Sequence, residues 1–260
     1  MPRKEILQSL ISTGTYSDML DEMFRIATQN SSSYVCFANV HLVIEAYRDP
    51  EFRKVVNESN ITTPDGNPLT VFMKLFHGIR QDRVCGMDIL PDILARAERE
   101  KKSVYFYGTT DDILAAIRSR IQKQFPKLDV RGTYSPPFRV LTAEEKAGVV
   151  ARINEAAPDF LFVALGCPKQ EKWMAEHKDK INSCMLGLGQ AFHVYAGKEK
   201  RIPKWMRKLS LEWAYRLVLE PRRLWKRYLV TNTLFLCLTI KEFAGKVFHN
   251  GSSVSGRMSG

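Results

Sequence analysis

Short apolar runs alternate with amphipathic helical segments through the first two thirds of the chain. The run SVYFYG at 103–108 leads into a Gly-Thr-Thr turn and a helical segment, and DFLFVALG at 159–166 repeats this plan. Continuous apolar strands separated by helices are typical of a parallel sheet with helices on both faces. The alternation therefore predicts an α/β fold with a doubly wound, mostly parallel sheet.

The alternation stops after Gly197, where helical segments follow without a strand candidate. Pro221 is expected to end one helix near residue 219 and to open the next, because proline is tolerated in a first turn. The apolar run within 229–240 is too short for a membrane-spanning helix, which needs about 20 apolar residues. We predict an α/β catalytic domain at 1–197, a basic amphipathic helical appendage at 198–249, and a disordered Gly/Ser-rich tail at 250–260.

The positive charge is concentrated in the predicted appendage. The whole chain carries +11, and residues 198–227 hold five lysines and six arginines against three glutamates, a net charge of +8. Trp205, Trp213 and Trp225 lie in the same segment. A charge run can simply be a solvated helix face. Basic residues interleaved with aromatic ones instead favour an anionic surface with apolar depth, either membrane headgroups or nucleic acid.

The cysteines and the N-terminus indicate a cytoplasmic location. The five cysteines are odd in number and form no CxxC pair, which argues against a disulfide framework or a zinc site. The first residues, MPRKEILQSL, do not contain the apolar core of a signal peptide. We expect a cytosolic protein.

The turns that follow the predicted strands are the candidate ligand sites, because open parallel sheets bind ligands at the carboxyl ends of their strands. They contain Asn39 and His41, Asp65 and Gly66, Gly108 to Thr110, Gly166 to Gln170, and Gly187 to Gln190. Turns that open directly into helices present free N–H groups to a phosphate, which points to a nucleotide or nucleotide-sugar. Alternatively, the glycines only relieve backbone sterics.

Several common catalytic motifs are missing from the sequence. GLGQAF departs from a dinucleotide fingerprint because Phe192 occupies the third glycine position, and no helix-opening segment is predicted after it. There is no GxxxxGK[ST], HExxH, GxSxG or metal-binding DxD. These absences argue against most hydrolase, NTPase and metalloenzyme classes, and we predict no metal site and no cofactor.

One carboxylate has a conspicuous position. Asp65 lies between Pro64 and Gly66, on a rigid turn from which its side chain can project into a cleft. P-D-G is also a common turn tripeptide with no catalytic meaning. An aspartate of ordinary pKa is ionised at neutral pH and can accept a proton.

Eight ordered motifs resemble one known family. They are FANVHLVIEA, PDGNP, RVCGMDILP, FYGTTDD, ALGCPKQEKW, GLGQAF-x-x-x-AG, KRIPKWM and LEWAYRLVLEPRRLWKRY. Over about residues 10–230 the chain is similar to the WecG/TagA/CpsF glycosyltransferases (glycosyltransferase family 26). The resemblance implies inverting transfer of an N-acetylmannosamine-type sugar or related hexose from a UDP-sugar to a polyprenyl-diphosphate-linked sugar. It also implies peripheral attachment to the inner face of the bacterial membrane, during synthesis of a cell-surface polysaccharide.

The resemblance assigns roles to individual residues. Asp65 matches the proposed general base, and Asn39 and Gln170 are expected to line the active site with it. Arg216, Arg222 and Arg223 are expected near the acceptor diphosphate. Lys226 is added by spacing, because it lies four residues after Arg222 and so on the same side of the helix that begins at Pro221. The turns after the predicted strands, rather than the resemblance, supply most of the expected nucleotide-sugar-binding residues. They are Gly66, Asn67, Gly108, Thr109, Thr110, Gly166, Pro168, Lys169, Gly187 and Gln190, together with His193.

His193 is a departure from the family pattern, in which Asp usually follows the phenylalanine and is expected on the nucleotide side of the pocket. A donor other than a UDP-sugar therefore stays open. Without a DxD, the leaving group's charge is expected to be offset by helix N-termini and nearby cations. A basic nucleic-acid-binding protein and a non-catalytic membrane scaffold are the alternative functions, and the sequence is compatible with an oligomer.

Overall fold

The computed structural model describes residues 1–29, 31–202, 206, 212–219 and 221–254. The strands are β1 (Arg3–Ile6), β2 (Ser9–Ser12), β3 (Ser33–Ala38), β4 (Ile61–Pro64), β5 (Ser103–Gly108), β6 (Asp129–Tyr134), β7 (Phe160–Ala164) and β8 (Cys184–Gly187). The helices of the α/β part are α1 (Tyr16–Ala27), α2 (Val40–Arg48), α3 (Pro50–Asn57), α4 (Asn67–His77), α5 (Gly86–Arg99), α6 (Asp111–Gln124), α7 (Ala143–Ala156), α8 (Lys169–His177) and α9 (Ala191–Tyr195). Two further helices follow, α10 (Glu212–Leu219) and α11 (Pro221–Val254).

A six-stranded sheet of order β4-β3-β8-β7-β5-β6 forms the centre of the fold, and every pair of neighbours is parallel. This confirms the predicted α/β class. The five strands from β4 to β5 are buried along their whole length, as expected for strands covered on both faces, and they are mostly apolar. The buried polar side chains on them are Ser33, Thr62, Thr63 and Ser103. The outer strand β6 is only partly buried.

Alternate side chains of the strands build two apolar layers. Val35 and Phe37 of β3 pack on one face in a cluster that includes α1, α5, α6 and α9. Tyr34 and Cys36 pack on the other face in a cluster that includes α7 and α8. The period of two along β3 thus separates the helices into two layers. The carboxyl ends of the strands open between these layers.

Helices α2 and α3 meet near Pro50, where the proline within LVIEAYRDPEFRKVVNES (42–59) predicts a break in the helix. Asp49 ends α2 and caps α3, its side chain accepting from the backbone N–H of Phe52 at 3.1 Å, and Pro50 occupies the first turn of α3. Proline fits there because a first-turn N–H has no partner within the helix. The break near Pro50 is confirmed.

Three elements extend or correct the sequence prediction. A hairpin of β1 and β2 precedes α1 and lies outside the large sheet. Helix α7 begins with a capping box between Thr142 and Glu145. The expectation that no helix-opening segment follows GLGQAF is wrong, because α9 begins at Ala191 directly after Gln190.

The C-terminal helix α11 lies against the α/β part, and α10 packs on α11. Helix α10 ends at Leu219 and α11 begins at Pro221, which confirms the predicted break. Helix α11 packs on α2, and its Phe235 is buried in a cluster with α2, α3 and α4. The helix extends to Val254, beyond the predicted boundary at 249. Of the helices in the described ranges, none combines the length and the apolar character that a membrane crossing requires.

Candidate active site

Asp65 and Asn39 are held side by side by the register of β3 and β4. Ala38, the last residue of β3, pairs with Pro64, the last residue of β4. The backbone N–H of Asp65 donates to the carbonyl of Ala38 at 2.7 Å. Asn39 caps α2, its side-chain oxygen accepting from the backbone N–H of Leu42 at 3.1 Å. The two predicted residues therefore emerge from neighbouring strands at the same edge.

Arg83 is the cation beside Asp65, and the sequence analysis did not identify it. Its guanidinium lies 3.8 Å from the Asp65 carboxylate, and both side chains are mostly buried. The backbone N–H of Val84 donates to Pro64 at 3.0 Å, and Thr63 Oγ1 donates to the carbonyl of Val84 at 3.0 Å. These bonds fix the segment at 83–85 beside the end of β4. The only sequence signal was its place in the RVCGMDILP motif.

Cys85 completes this part of the site. Burial raises the pKa of the Cys85 thiol, and the neighbouring Asp65 carboxylate adds to the shift. The thiol is therefore neutral at physiological pH, which leaves the Asp65 carboxylate and the Arg83 guanidinium as a compact pair of opposite charges.

Gly108 and Thr109 form the turn after β5. A Cβ on Gly108 would lie 2.3 Å from the carbonyl oxygen of Ala164, so the close approach of β7 requires glycine here. The backbone N–H of Thr109 donates to that carbonyl at 3.0 Å, with a left-handed φ of 54° at Thr109. Ser135 Oγ donates to the carbonyl of Thr109 at 2.7 Å. The turn is held from β7 on one side and from the end of β6 on the other.

His193 approaches the β5 turn from α9. Its Nε2 lies 3.4 Å from the hydroxyl of Thr109, and its Nδ1 lies 3.7 Å from the carboxylate of Glu199. Gln190, which precedes α9, donates from its side-chain amide to the same carboxylate at 2.7 Å. The structure thus brings together three predicted donor-side residues (Thr109, Gln190, His193) and adds Glu199, which sequence reasoning missed.

Gln170 locks the turn after β7 to the end of β8. Its Oε1 accepts from the backbone N–H of Gly166 at 3.2 Å, and its Nε2 donates to the carbonyl of Gly187 at 2.9 Å. A Cβ on Gly187 would lie 3.0 Å from this amide, and one on Gly189 3.2 Å from it. The glycines of the GLG sequence therefore leave room for Gln170. Both ends of its amide are used in holding the two turns together.

Glu171 supports this lock from the next position of α8. It is 1% exposed, and its Oε1 accepts from the Nε2 of Gln170 at 2.8 Å. Burial raises the pKa of Glu171 to about 7, and hydrogen bonds to Gln170 and Cys167 oppose that rise. Sequence reasoning did not single out this carboxyl group.

The other predicted turn residues lie at helix N-termini. Gly66 precedes α4 and Asn67 is its first residue, while Thr110 precedes α6. Pro168 precedes α8 and Lys169 is its first residue. Three helix N-termini therefore open at the same edge of the sheet, where their N–H groups can receive an anionic group.

The predicted acceptor-diphosphate residues are described only in part. Arg222 and Lys226 are exposed on the first turns of α11, where the Lys226 ammonium lies 5.5 Å from the centre of the Trp225 ring. The side chains of Arg216 and Arg223 lie outside the described residues.

The arrangement combines a carboxylate next to an arginine with three helix N-termini at one edge of the sheet. A carboxylate in this setting can accept a proton from an attacking hydroxyl. Helix N-termini and a guanidinium can stabilise negative charge on a departing phosphate. The residues suit group transfer from a phosphorylated donor.

Comparison with known proteins agrees with this chemistry. The profile of the Glycosyl transferase WecG/TagA/CpsF family matches residues 4–247. An N-acetylglucosaminyldiphosphoundecaprenol N-acetyl-beta-D-mannosaminyltransferase of Bacillus subtilis (strain 168) is 32% identical over 222 residues, covering 85% of this chain and 84% of the relative. Enzymes of the same description from Bacillus spizizenii and Staphylococcus aureus (strain NCTC 8325) are 32% and 29% identical, each over 77% of this chain and 76% of the relative.

Proposed function

Because the chain belongs to the WecG/TagA/CpsF family and is a glycosyltransferase, we propose that it transfers an N-acetylmannosamine-type sugar from a UDP-sugar to a polyprenyl-diphosphate-linked sugar. The named relatives support the sugar and the class of acceptor. The observation that carries the proposal is the Asp65 carboxylate at the end of β4, next to Arg83 and between helix N-termini. Membership in a family of enzymes also favours catalysis over nucleic-acid binding or a scaffold role.

In the proposed reaction, a hydroxyl of the acceptor sugar attacks the anomeric carbon of the donor. The new C–O bond forms as the bond between that carbon and the UDP oxygen breaks, so UDP leaves with the bonding electron pair. Asp65 accepts the proton of the attacking hydroxyl. A single displacement of this kind inverts the configuration at the anomeric carbon.

The donor side of the proposal rests on the turns after β5, β7 and β8. The N-termini of α6 and α8 follow the first two of these turns and supply partial positive charge for the diphosphate of UDP. Gln170 holds the β7 and β8 turns in one arrangement, so little reorganisation is needed as charge develops on the leaving group. His193 and Thr109 face the same side and are proposed to contact the nucleotide.

The acceptor side of the proposal rests on the charge of the C-terminal helices. The +8 segment at 198–227 is proposed to bind the acceptor diphosphate and to hold the enzyme peripherally on the cytoplasmic face of the membrane. Arg222 and Lys226 are exposed and available for such contacts.

The test is transfer by the purified full-length enzyme and its Asp65→Asn variant to a short-chain acceptor that is soluble without a membrane. We expect Asp65→Asn to lower turnover by about 10²–10⁴-fold while the unfolding midpoint stays near that of the wild type, because a general base contributes about that much. Mass spectrometry identifies the product, and NMR gives its anomeric configuration.

Asp129→Asn is the matched control. Asp129 also pairs with an arginine, Arg131 at 3.0 Å, but it is the first residue of β6, the outer strand on the other side of the sheet from β4. This control should keep full turnover. Near-normal turnover by Asp65→Asn would remove Asp65 from the chemistry, and retention of anomeric configuration would contradict a single displacement.

A further inference from the structure

Glu199 is a carboxylate on the donor side of the site that has no part in the proposed reaction. Its Oε2 accepts from the side-chain amide of Gln190 at 2.7 Å, and its Oε1 lies 3.7 Å from Nδ1 of His193. The side chain is nevertheless 40% exposed. An ionised carboxylate has about four lone-pair positions for hydrogen bonds. These two neighbours therefore leave Glu199 with acceptor positions that a ligand can use.

The turn that closes α9 fixes the position of Glu199. Gly197 has a left-handed φ of 75°, which reverses the chain at the end of the helix. The backbone N–H groups of Lys198 and Glu199 then both donate to the carbonyl of His193, at 3.0 and 3.2 Å. The ammonium of Lys198 lies 3.6 Å from the carboxylate of Asp112 on α6. Glu199 is thus folded back onto α9 and held there by backbone bonds.

The neighbours of Glu199 place it between the turns of two strands. Gln190 follows the turn after β8, and His193 reaches Thr109 in the turn after β5 at 3.4 Å. In the sheet, β7 lies between these two strands, whereas β3 separates β8 from β4 and Asp65. The transferred sugar is proposed to react beside Asp65. The Glu199 carboxylate therefore lies on the nucleotide side of the site and away from the reacting sugar.

The chemistry of a carboxylate limits which part of a nucleotide it can bind. An ionised carboxylate only accepts hydrogen bonds, so its ligand has to donate them. A diphosphate is anionic and is repelled by Glu199. A uracil ring offers a single N–H donor. The ribose carries two neighbouring hydroxyls that can donate to the two oxygens of one carboxylate, and hydrogen bonds to a charged acceptor are the strong ones. The ribose is therefore the part of the donor that fits Glu199.

We propose that Glu199 binds the ribose hydroxyls of the donor nucleotide and makes the enzyme selective for ribonucleotides over their 2′-deoxy forms. Gln190 and His193 are positioning residues in this proposal, because they hold the carboxylate between the β8 and β5 turns. The inference rests on the proposed function, since it takes the donor to be a nucleotide-sugar. It adds a specificity-determining residue to the donor side, where the helix N-termini account only for the diphosphate.

The experiment compares the full-length wild type with Glu199→Gln, which keeps the size of the side chain and an oxygen for Gln190 but removes the charge and one acceptor oxygen. The matched control is Glu176→Gln. Glu176 is 49% exposed and lies 3.3 Å from the Lys146 ammonium, but it is in the last turn of α8, far from the turns at the carboxyl ends of the strands. Isothermal titration calorimetry measures the binding of UDP and 2′-deoxy-UDP to each protein, and of GDP and CDP with their 2′-deoxy forms.

We expect the wild type to bind UDP about ten- to a hundredfold more tightly than 2′-deoxy-UDP, as a lost hydrogen bond to a charged group predicts. Glu199→Gln should weaken UDP binding by a similar factor and 2′-deoxy-UDP binding by less, so that the preference falls. Glu176→Gln should keep both affinities. A wild type without the preference would overturn the proposal. So would Glu199→Gln with an unchanged preference, or with equal losses for both nucleotides, which would assign Glu199 to supporting α9.

Failure of the proposed function would look different. Tight binding of GDP or CDP in place of UDP, with a ribose preference that depends on Glu199, would refute the UDP-sugar donor and support the inference. A wild type that binds UDP with this preference but transfers no sugar to the soluble acceptor would refute the reaction alone. A wild type that binds none of the three ribonucleotides would refute the inference.

Discussion

Replacing Glu171 by glutamine is expected to change how the stability of the protein depends on pH. Glu171 is buried in the first turn of α8 and accepts from Gln170 at 2.8 Å. Burial raises the pKa of this carboxyl from 4.5 to about 7. Glutamine has nearly the same size and keeps an oxygen for Gln170, but it carries no charge at any pH.

The sign of the effect follows from proton binding. Between about pH 4.5 and pH 7, the carboxyl of Glu171 is protonated in the folded protein and ionised in the unfolded chain. The folded state therefore binds more protons, and the free energy of unfolding falls as the pH rises through this range. At 1.36 kcal/mol per pKa unit, the loss reaches about 3 kcal/mol near pH 7 and then stays constant. Glu171→Gln should gain this amount relative to the wild type over the same range.

Urea unfolding of the two proteins at a series of pH values from 5 to 8 measures the difference. Glu145→Gln is the control, because the hydrogen bond from Arg139 lowers the pKa of Glu145 to about 2 and the backbone N–H of Thr142 adds to the shift. Both its folded and unfolded pKa values lie below this range, so its difference from the wild type should be flat. A flat difference for Glu171→Gln as well would refute the raised pKa of Glu171.

Two further predictions concern the reaction. Since the leaving group is proposed to be stabilised by the N-termini of α6 and α8, transfer should persist in excess EDTA; complete loss that Mg²⁺ or Mn²⁺ restores would contradict this. Arg216→Ala and Arg223→Ala should each lower transfer to the soluble acceptor about ten- to a hundredfold if these residues hold the acceptor diphosphate. Normal soluble transfer with weaker vesicle binding would assign them to headgroups instead.

The sequence predicted the sheet because most of its strands are continuous apolar runs. It predicted a helix break near Pro50 and a new helix at Pro221 because proline disrupts a helix beyond its first turn. The capping box of Thr142 and Glu145 marks the start of α7. This signal is visible in the sequence, but the prediction from strand patterns did not use it. The hairpin of β1 and β2 was harder to foresee. Its strands have only four residues each, too few for a clear alternation.

The candidate site was easiest to predict where one of its residues directly follows a strand. Asp65 and Asn39 meet this condition, because their strands are neighbours in the sheet. Arg83 does not meet it. Arg83 lies beside Asp65 because the next residue, Val84, donates to the carbonyl of Pro64 and accepts from the hydroxyl of Thr63, and no local sequence pattern encodes these contacts. Gln170 shows the opposite difficulty. Its place in the turn after β7 predicted that Gln170 lines the active site. In the structure, both ends of its side-chain amide are hydrogen-bonded to the turns after β7 and β8, and the sequence did not predict these contacts.

The sheet order suggests how donor and acceptor approach each other. Asp65 follows β4 at one end of the row, while Thr109 and His193 lie by β5, four strand spacings away, or about 19 Å. An extended nucleotide-sugar that has its base near β5 would carry its sugar to the ends of β8 and β3, close to Gly187 and Asn39. Asp65 would then face the side of the anomeric carbon opposite the departing diphosphate. That in-line placement is what inversion requires, and it brings the acceptor in from the side of the sheet where α4 begins.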